Sequence, residues 1–337
     1  MIRPGPRNLI TDVPGLRVGN AGDENIRSGT TVLIGDEPMF AAVDVRGGAP
    51  GTRDVEGLDP VSLVEKADAF VLSGGSAFGL DAVSGAQAWL KNQGRGFQIV
   101  PGAPRVPIAS GVVLFDLNNG GDKNWGDVPP YRELGVRACE NAGHDFALGN
   151  AGAGLGARAG LYKGGLGSVS AVMPEGITLG ALAAVNAVGS PLIPGTDVFW
   201  AFPFERGKEF GGRRLPADFQ SIDLDLPRDL KGAPQPNTNT TIAIVATDAA
   251  LTRVELKRLA IMAADGFARA LRPVHTPFDG DLVFAVSTEK HKIAEPRPIS
   301  VLRLGAIAAD CLARAIARGV YEAKSLGEMK SYRELFP

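Results

Sequence analysis

Cysteine is almost absent from this chain: Cys139 and Cys311 are the only two in 337 residues. Two cysteines can build neither a disulfide framework nor a structural zinc site. Each sits in an apolar, helix-like pattern and reads as a small buried hydrophobe. Histidine is nearly as scarce, with three residues. His144, His275 and His291 have no metal-ligand spacing, and His275, four residues upstream of Asp279, is placed to approach that residue but reads first as a packing or solvent-facing side chain. Net charge is low, with 35 basic against 37 acidic side chains and a balance of −2. No strong field follows, so nucleic acid and anionic membrane are poor partners. Long apolar runs are missing as well. None is long enough to span a bilayer, and Met1–Gly19 lacks the apolar core of a signal peptide, so the expected location is the cytoplasm. Without a secretory signal, the glycosylation pattern Asn239-Thr240-Thr241 carries little weight.

Glycine, in contrast, is abundant at 44 residues. The glycines are spread through apolar segments, which implies tight turns and close backbone approaches in a folded protein rather than a linker. Apolar periodicity predicts strands at Thr30–Ile34 and Met39–Val45, a short helix over 60–66, a strand at Ala69–Ser73 and a helix from Gly79 to Asn92. Residues 101–130, rich in proline, read as a long irregular segment, and Tyr131–Gly143 as a helix. After a glycine-dense block over 149–167 come strands at Ser168–Met173 and Ile177–Val188. Residues 205–239 are polar and proline-rich and read as an exposed loop ending in Pro234-Gln235-Pro236-Asn237-Thr238-Asn239. Beyond it lie a strand at Thr240–Thr247, an amphipathic helix over Thr252–Ala270, a strand at Asp281–Ser287 and a long helix over Ile299–Val320. Strands and helices in this mixture predict an α/β layered fold in one domain, 1–337.

The junction before Thr240 combines features with a specific chemistry. A threonine at a chain terminus can use its own α-amine, with a pKa of about 7.7–8.0, as the base for its hydroxyl. That amine exists only after the bond between Asn239 and Thr240 is cut. The Thr240 hydroxyl could cut it by attacking the Asn239 carbonyl, forming an ester that water then hydrolyses. A competing nucleophile is Ser76, in Gly74-Gly75-Ser76-Ala77-Phe78 between a strand and a helix. A nucleophile elbow needs glycine at the last of these positions, where this chain has Phe78, so the loop reads instead as a substrate-binding turn offering backbone N–H groups.

Six ordered segments resemble peptidase family S58, the group of D-aminopeptidases, β-aminopeptidases and nylon-oligomer endo-hydrolases. They are Ile10-Thr11-Asp12-Val13-Pro14-Gly15-Leu16-Arg17-Val18-Gly19, Asp44–Thr52, Leu72–Leu80, Lys163–Ser168, Asn239-Thr240-Thr241-Ile242 and Asp279-Gly280-Asp281. The resemblance implies a four-layer αββα sandwich and a precursor that cleaves itself into 1–239 and 240–337, leaving Thr240 as nucleophile. By the same resemblance, Asn186 corresponds to an asparagine that donates to the oxyanion, and Asp279 and Asp281 to an acidic or polar pair that would orient the hydroxyl and hold the terminal ammonium. It further implies no cofactor, no metal, a homo-oligomer (a tetramer or larger) of cleaved protomers, and short peptide or amide substrates such as β- or D-aminoacyl compounds. In two places the chain departs from the nylon-oligomer hydrolase, with Leu161 aligned to a lysine and Phe115 to a tyrosine. Acyl transfer of the ornithine acetyltransferase type, and a scaffold that has lost processing, stand as alternatives.

Overall fold

The structure is a computed structural model that describes residues 1–223, 225–231 and 239–337. The proline-rich run expected to end the long loop, 232–238, lies outside the described residues. Among the described residues, nine strands form one mixed sheet. Its order is β3 (Thr52–Arg53), β5 (Ala109–Val113), β4 (Lys66–Ser73), β2 (Ser28–Val45), β11 (Leu282–His291), β10 (Thr240–Ala249), β9 (Thr178–Asn186) and β8 (Leu166–Val172), with β1 (Leu16–Asp23) paired onto β2. A separate two-stranded ribbon joins β6 (Arg158–Ala159) to β7 (Tyr162–Lys163). β10 runs parallel to β11 and antiparallel to β9.

Alternation of side chains turns this sheet into two stacked layers. Ile242, Ile244, Leu282 and Phe284 share a core with Leu33, Met39, Phe70 and Leu72. Phe70 and Phe284 meet across it, with ring centroids 5.0 Å apart. Their neighbours in sequence face outwards. Ala243, Val245 and Val283 lie under α3 (Arg253–Ala263), α4 (Asp265–Ala268) and α5 (Arg297–Glu322). Val32, Ile34, Ala69 and Val71 lie under α1 (Asp81–Asn92) and α2 (Tyr131–Glu140). The result is the helix–sheet–sheet–helix sandwich that the motifs implied. Burying each large aliphatic or aromatic side chain contributes about 1.5–3 kcal/mol, so a one-residue slip of β10 would misplace several at once. Both cysteines are buried and free, as expected.

The two layers are joined by β2, a single strand where the sequence suggested two. Its first part pairs with β1 and β4 and its last part, from Phe40, with β11, with a register shift between Ile34 and Met39. Gly35-Asp36-Glu37-Pro38, which resembles a turn, is that irregularity. Other expectations fail for local reasons. Residues 60–63 form a turn and bend and Lys66 already begins β4, because Val61 and Leu63 are exposed and have no face to pack against. The helix expected over Thr252–Ala270 breaks between Ala263 and Asp265, where Gly266 approaches the Ala309 carbonyl too closely for a Cβ. Its start is fixed by a capping box in which the Thr252 hydroxyl accepts from the Glu255 N–H, a cap worth about 1 kcal/mol. β5 hides within the segment read as irregular.

The loop expected to be exposed from residue 205 is anchored instead. Glu209 pairs with Arg314, a guanidinium buried on α5, at 2.6 Å, and Phe210 is buried. A buried guanidinium demands a carboxylate partner, and this segment supplies it.

Candidate active site at the head of β10

Strand register assembles the site. Thr240, the first residue of β10, lies directly across from Asn186 at the end of β9. On the other side Asn239 bridges Asp279 in the parallel sense. Thr240, Asn239, Asn186, Asp279 and Asp281, which stand far apart in sequence, therefore meet at one sheet end, and all five are buried.

At the centre is the carbonyl oxygen of Asn239. It accepts from the Thr240 hydroxyl and, at 3.0 Å, from the backbone N–H of Gly280. The Gly280 N–H polarises the carbonyl and would stabilise negative charge developing on that oxygen, while the Thr240 hydroxyl lies against the same group. Glycine is required at 280, because a Cβ there would lie 2.8 Å from Thr240 Oγ1 and 2.7 Å from the Ala49 carbonyl. The Arg46–Ala49 segment clamps this turn from behind. Arg46 and Gly47 donate their N–H groups to the Asp281 carbonyl at 2.9 and 3.0 Å, and Ala49 donates to that of Asp279 at 2.8 Å. Two of the sequence motifs thus form one mechanical unit.

The carboxylates have separate partners. Asp281 accepts from the Thr241 N–H at 2.7 Å and the His275 N–H at 3.1 Å, and its Oδ2 also lies 3.0 Å from His275 Nδ1. His275 therefore belongs to the site, contrary to its reading as a packing or solvent-facing residue; its ring also meets Phe267 edge-on. Asp279 accepts from Val188 N at 3.2 Å and from Thr276 N and Oγ1 at 3.1 and 2.5 Å. Burial, reinforced by the neighbouring Asp281 charge, raises its carboxyl to about 6.

The Asn186 amide is fixed at both ends. Its oxygen accepts from the Arg158 N–H at 3.0 Å and from Lys231 Nζ at 2.8 Å, and its nitrogen donates to the Phe115 carbonyl at 3.0 Å. Phe115 thus contributes its main chain at the position aligned with a tyrosine. Leu161, aligned with a lysine, is exposed. Two cations come inside from elsewhere. Lys163 is fully buried and donates to the Gly154 and Gly164 carbonyls at 2.9 and 2.7 Å. Burial lowers both Lys163 and Lys231 to about 7. Sequence reasoning missed Gly280, His275 and Lys231.

The Gly74-Gly75-Ser76 turn differs from its expected use. Gly74 N donates to the Gly29 carbonyl at 2.9 Å, Gly75 N to Asp116 Oδ1 at 2.8 Å and Ser76 N to the Leu114 carbonyl at 2.9 Å. Each N–H is already committed within the fold, so the turn does not offer these hydrogens to a ligand. Gly75 has a φ of 86°, and a Cβ there would strike the Tyr131 ring. These glycines serve close packing, and burial raises the carboxyl of Asp116 beneath them.

The chain as a whole is similar to known proteins. The model of peptidase family S58 matches residues 8–333. An uncharacterized aminopeptidase of Mycobacterium tuberculosis is 42% identical, covering 98% of both chains. A 6-aminohexanoate-oligomer endohydrolase of Kocuria sp. is 30% identical over 85% of this chain and 76% of its own. Among solved structures, a Burkholderia sp. beta-aminopeptidase superposes with a TM-score of 0.69 at 22% identity, covering 98% of this chain and 91% of its own. The L-aminopeptidase D-Ala-esterase/amidase of Ochrobactrum anthropi gives 0.68 at 19%, covering 99% and 93%. These two establish the likeness of fold.

Proposed function

This chain belongs to peptidase family S58 and hydrolyses peptide or amide bonds, and we propose that it first cuts itself between Asn239 and Thr240. The observation that carries this reading is the Asn239 carbonyl, held between the Thr240 hydroxyl and the Gly280 N–H. Attack by Thr240 Oγ1 on the Asn239 carbonyl carbon places an oxyanion against that N–H. The hydroxyl proton passes to the Thr240 nitrogen, and collapse expels that nitrogen as an amine and leaves an ester, which water hydrolyses to an Asn239 carboxylate and a free hydroxyl.

The new amine then serves as base for the hydroxyl in each turnover. Thr240 Oγ1 attacks a substrate amide and Asn186 donates to the oxyanion; the substrate amine leaves with the proton that the α-amine took from the hydroxyl, and water then hydrolyses the acyl ester to release the acid. Asp281, bonded to the Thr241 N–H, holds the head of the strand. Asp279, whose carboxyl is raised by burial in the uncut chain, would be drawn back towards the carboxylate by the new ammonium and help to hold it. The substrates are short peptides or amides carrying a free amine, including β- and D-aminoacyl compounds. The family resemblance further supports a cytoplasmic homo-oligomer, tetrameric or larger, working without cofactor. The exposed apolar residues Phe97, Ile99, Val100 and Val106 offer a surface for such assembly.

Intact-mass measurement tests this directly. Wild-type protein resolves into two chains, 1–239 and 240–337. Thr240→Ala stays one chain and loses about 10³-fold or more of its amide hydrolysis. A Thr240→Ala protein that still splits at this bond would show that another group is the nucleophile.

A further inference from the structure

The segment just ahead of the junction reaches into the site from outside the sheet. The Lys231 N–H donates to the Val188 carbonyl at 3.1 Å, and its Nζ donates to Asn186 Oδ1 at 2.8 Å. Two residues earlier, Asp229 accepts from Tyr162 at 3.2 Å and from the Ser190 hydroxyl, and its carbonyl accepts from Leu161 N at 3.0 Å. This stretch is tacked down at Asp229 and at the Lys231 backbone itself. Arg158, Asp116 and Asp279 supply the charges that act on its ammonium.

We propose that Lys231 is a positioning residue that fixes and polarises the Asn186 amide for donation to the oxyanion. This inference rests on the catalytic reading above. A primary amide has a donor end and an acceptor end, and a half-turn exchanges them. At Asn186 three neighbours agree on one orientation. Arg158 N–H can only donate to the oxygen, the protonated Lys231 Nζ likewise only donates, and the Phe115 carbonyl can only accept from the nitrogen. Of the three, only Lys231 acts through its side chain, and only Lys231 brings an ammonium. A cationic donor on the amide oxygen draws electron density from the Nδ2 hydrogens and makes them stronger donors. The group that meets the transition state is Asn186, and Lys231 works through it. Lys231 also lies on the 1–239 side of the junction, so the larger fragment continues to shape the site after the cut.

Lys231→Met keeps the aliphatic stem and removes the donor. Processing is followed by intact mass, and kcat and KM are measured on the aminoacyl p-nitroanilide that wild type turns over fastest. The expected result is a fall in kcat of at least about tenfold, below the roughly 10²–10³-fold expected for losing the Asn186 donor itself, with KM little changed. Lys231→Gln, which keeps an N–H at similar reach, recovers part of the loss. On an Asn186→Ala background neither substitution lowers kcat further, because the amide through which Lys231 acts is gone. If Lys231→Met does not fold, the same pair of backgrounds with Lys231→Gln carries the test. Wild-type kcat in the Lys231 variant, or a loss of equal size with and without Asn186, overturns the proposal. A wild-type chain that neither splits nor hydrolyses any of these amides removes the catalytic reading instead.

Discussion

Two strand ends in this molecule carry a hydroxyl beside glycine, and they differ in what faces the hydroxyl. At the end of β4, Gly74-Gly75-Ser76 turns into a helix and has the outward look of a nucleophile elbow. Its N–H groups are consumed by Gly29, Asp116 and Leu114, and its glycines are there to pass Tyr131, Ser28 and Asp116. At the start of β10, Thr240 enters a plain strand. Its hydroxyl meets a carbonyl that already accepts an N–H from Gly280. A sharp turn is therefore a poor marker of reactivity. The better marker is a polarised carbonyl within reach of the hydroxyl, with donors that serve no other part of the fold.

Gly280→Ala tests that distinction most severely. The added Cβ meets Thr240 Oγ1 and the Ala49 carbonyl, so the turn must shift and carry its N–H away from the Asn239 oxygen. Self-cleavage, timed by intact mass from first purification, should slow by about 10²–10³-fold. A wild-type rate would mean that the Gly280 donor is dispensable. Asp279→Asn has a smaller effect, read through stability. The folded-state carboxyl is raised from 3.8 to about 6, so folding favours the acid. The contribution is complete below the unfolded value and is lost as pH rises through the folded one. Asparagine does not titrate, and it also loses hydrogen bonds that the carboxyl accepts from Val188 and Thr276. The urea midpoint of the variant should therefore lie below wild type at pH near 4, and the gap should narrow as pH passes about 6. A gap independent of pH would contradict the raised value. Ser76→Ala should change least. Self-cleavage should proceed at the wild-type rate, because Ser76 makes no hydrogen bond to the Asn239 carbonyl. Loss of cleavage there, with cleavage retained in Thr240→Ala, would reverse the assignment of the two strand ends.

Much of this arrangement was legible in the sequence. Thr240 stands where a polar, proline-rich stretch gives way to a β-branched strand, and the Asp-Gly-Asp triplet carries its chemistry in its side chains. The αββα layering was implied by the family resemblance that the motifs carry, whereas the apolar periodicity indicated only an α/β layered fold. What remained hidden has a common physical origin. The Gly280 donor is a main-chain N–H, which has no residue-type signature. The Lys231–Asn186 contact joins an irregular segment to a strand end through a single side chain, and no spacing rule relates them. His275 is placed by the left-handed backbone at its own position, φ 54°, rather than by any periodicity. β2 looked like two strands because Pro38 interrupts its pattern, whereas the sheet absorbs the interruption as a register shift. β5 is short and follows Pro104 and Pro107, so it reads as loop.

The strand order has a consequence for the cut molecule. β10 and β11 come after the junction, yet they lie between β9 and β2, which come before it. Hydrolysis at Asn239–Thr240 would be a nick in a woven fabric. The larger fragment alone would have a two-strand gap through the middle of its sheet. The smaller would carry two parallel strands with bare edges on both sides and a long helix stripped of β8 and β9, on which it also packs. Each fragment would be the other's missing interior, so the pair could part only by unravelling, and a threonine freed by such a cut would remain seated where it was made.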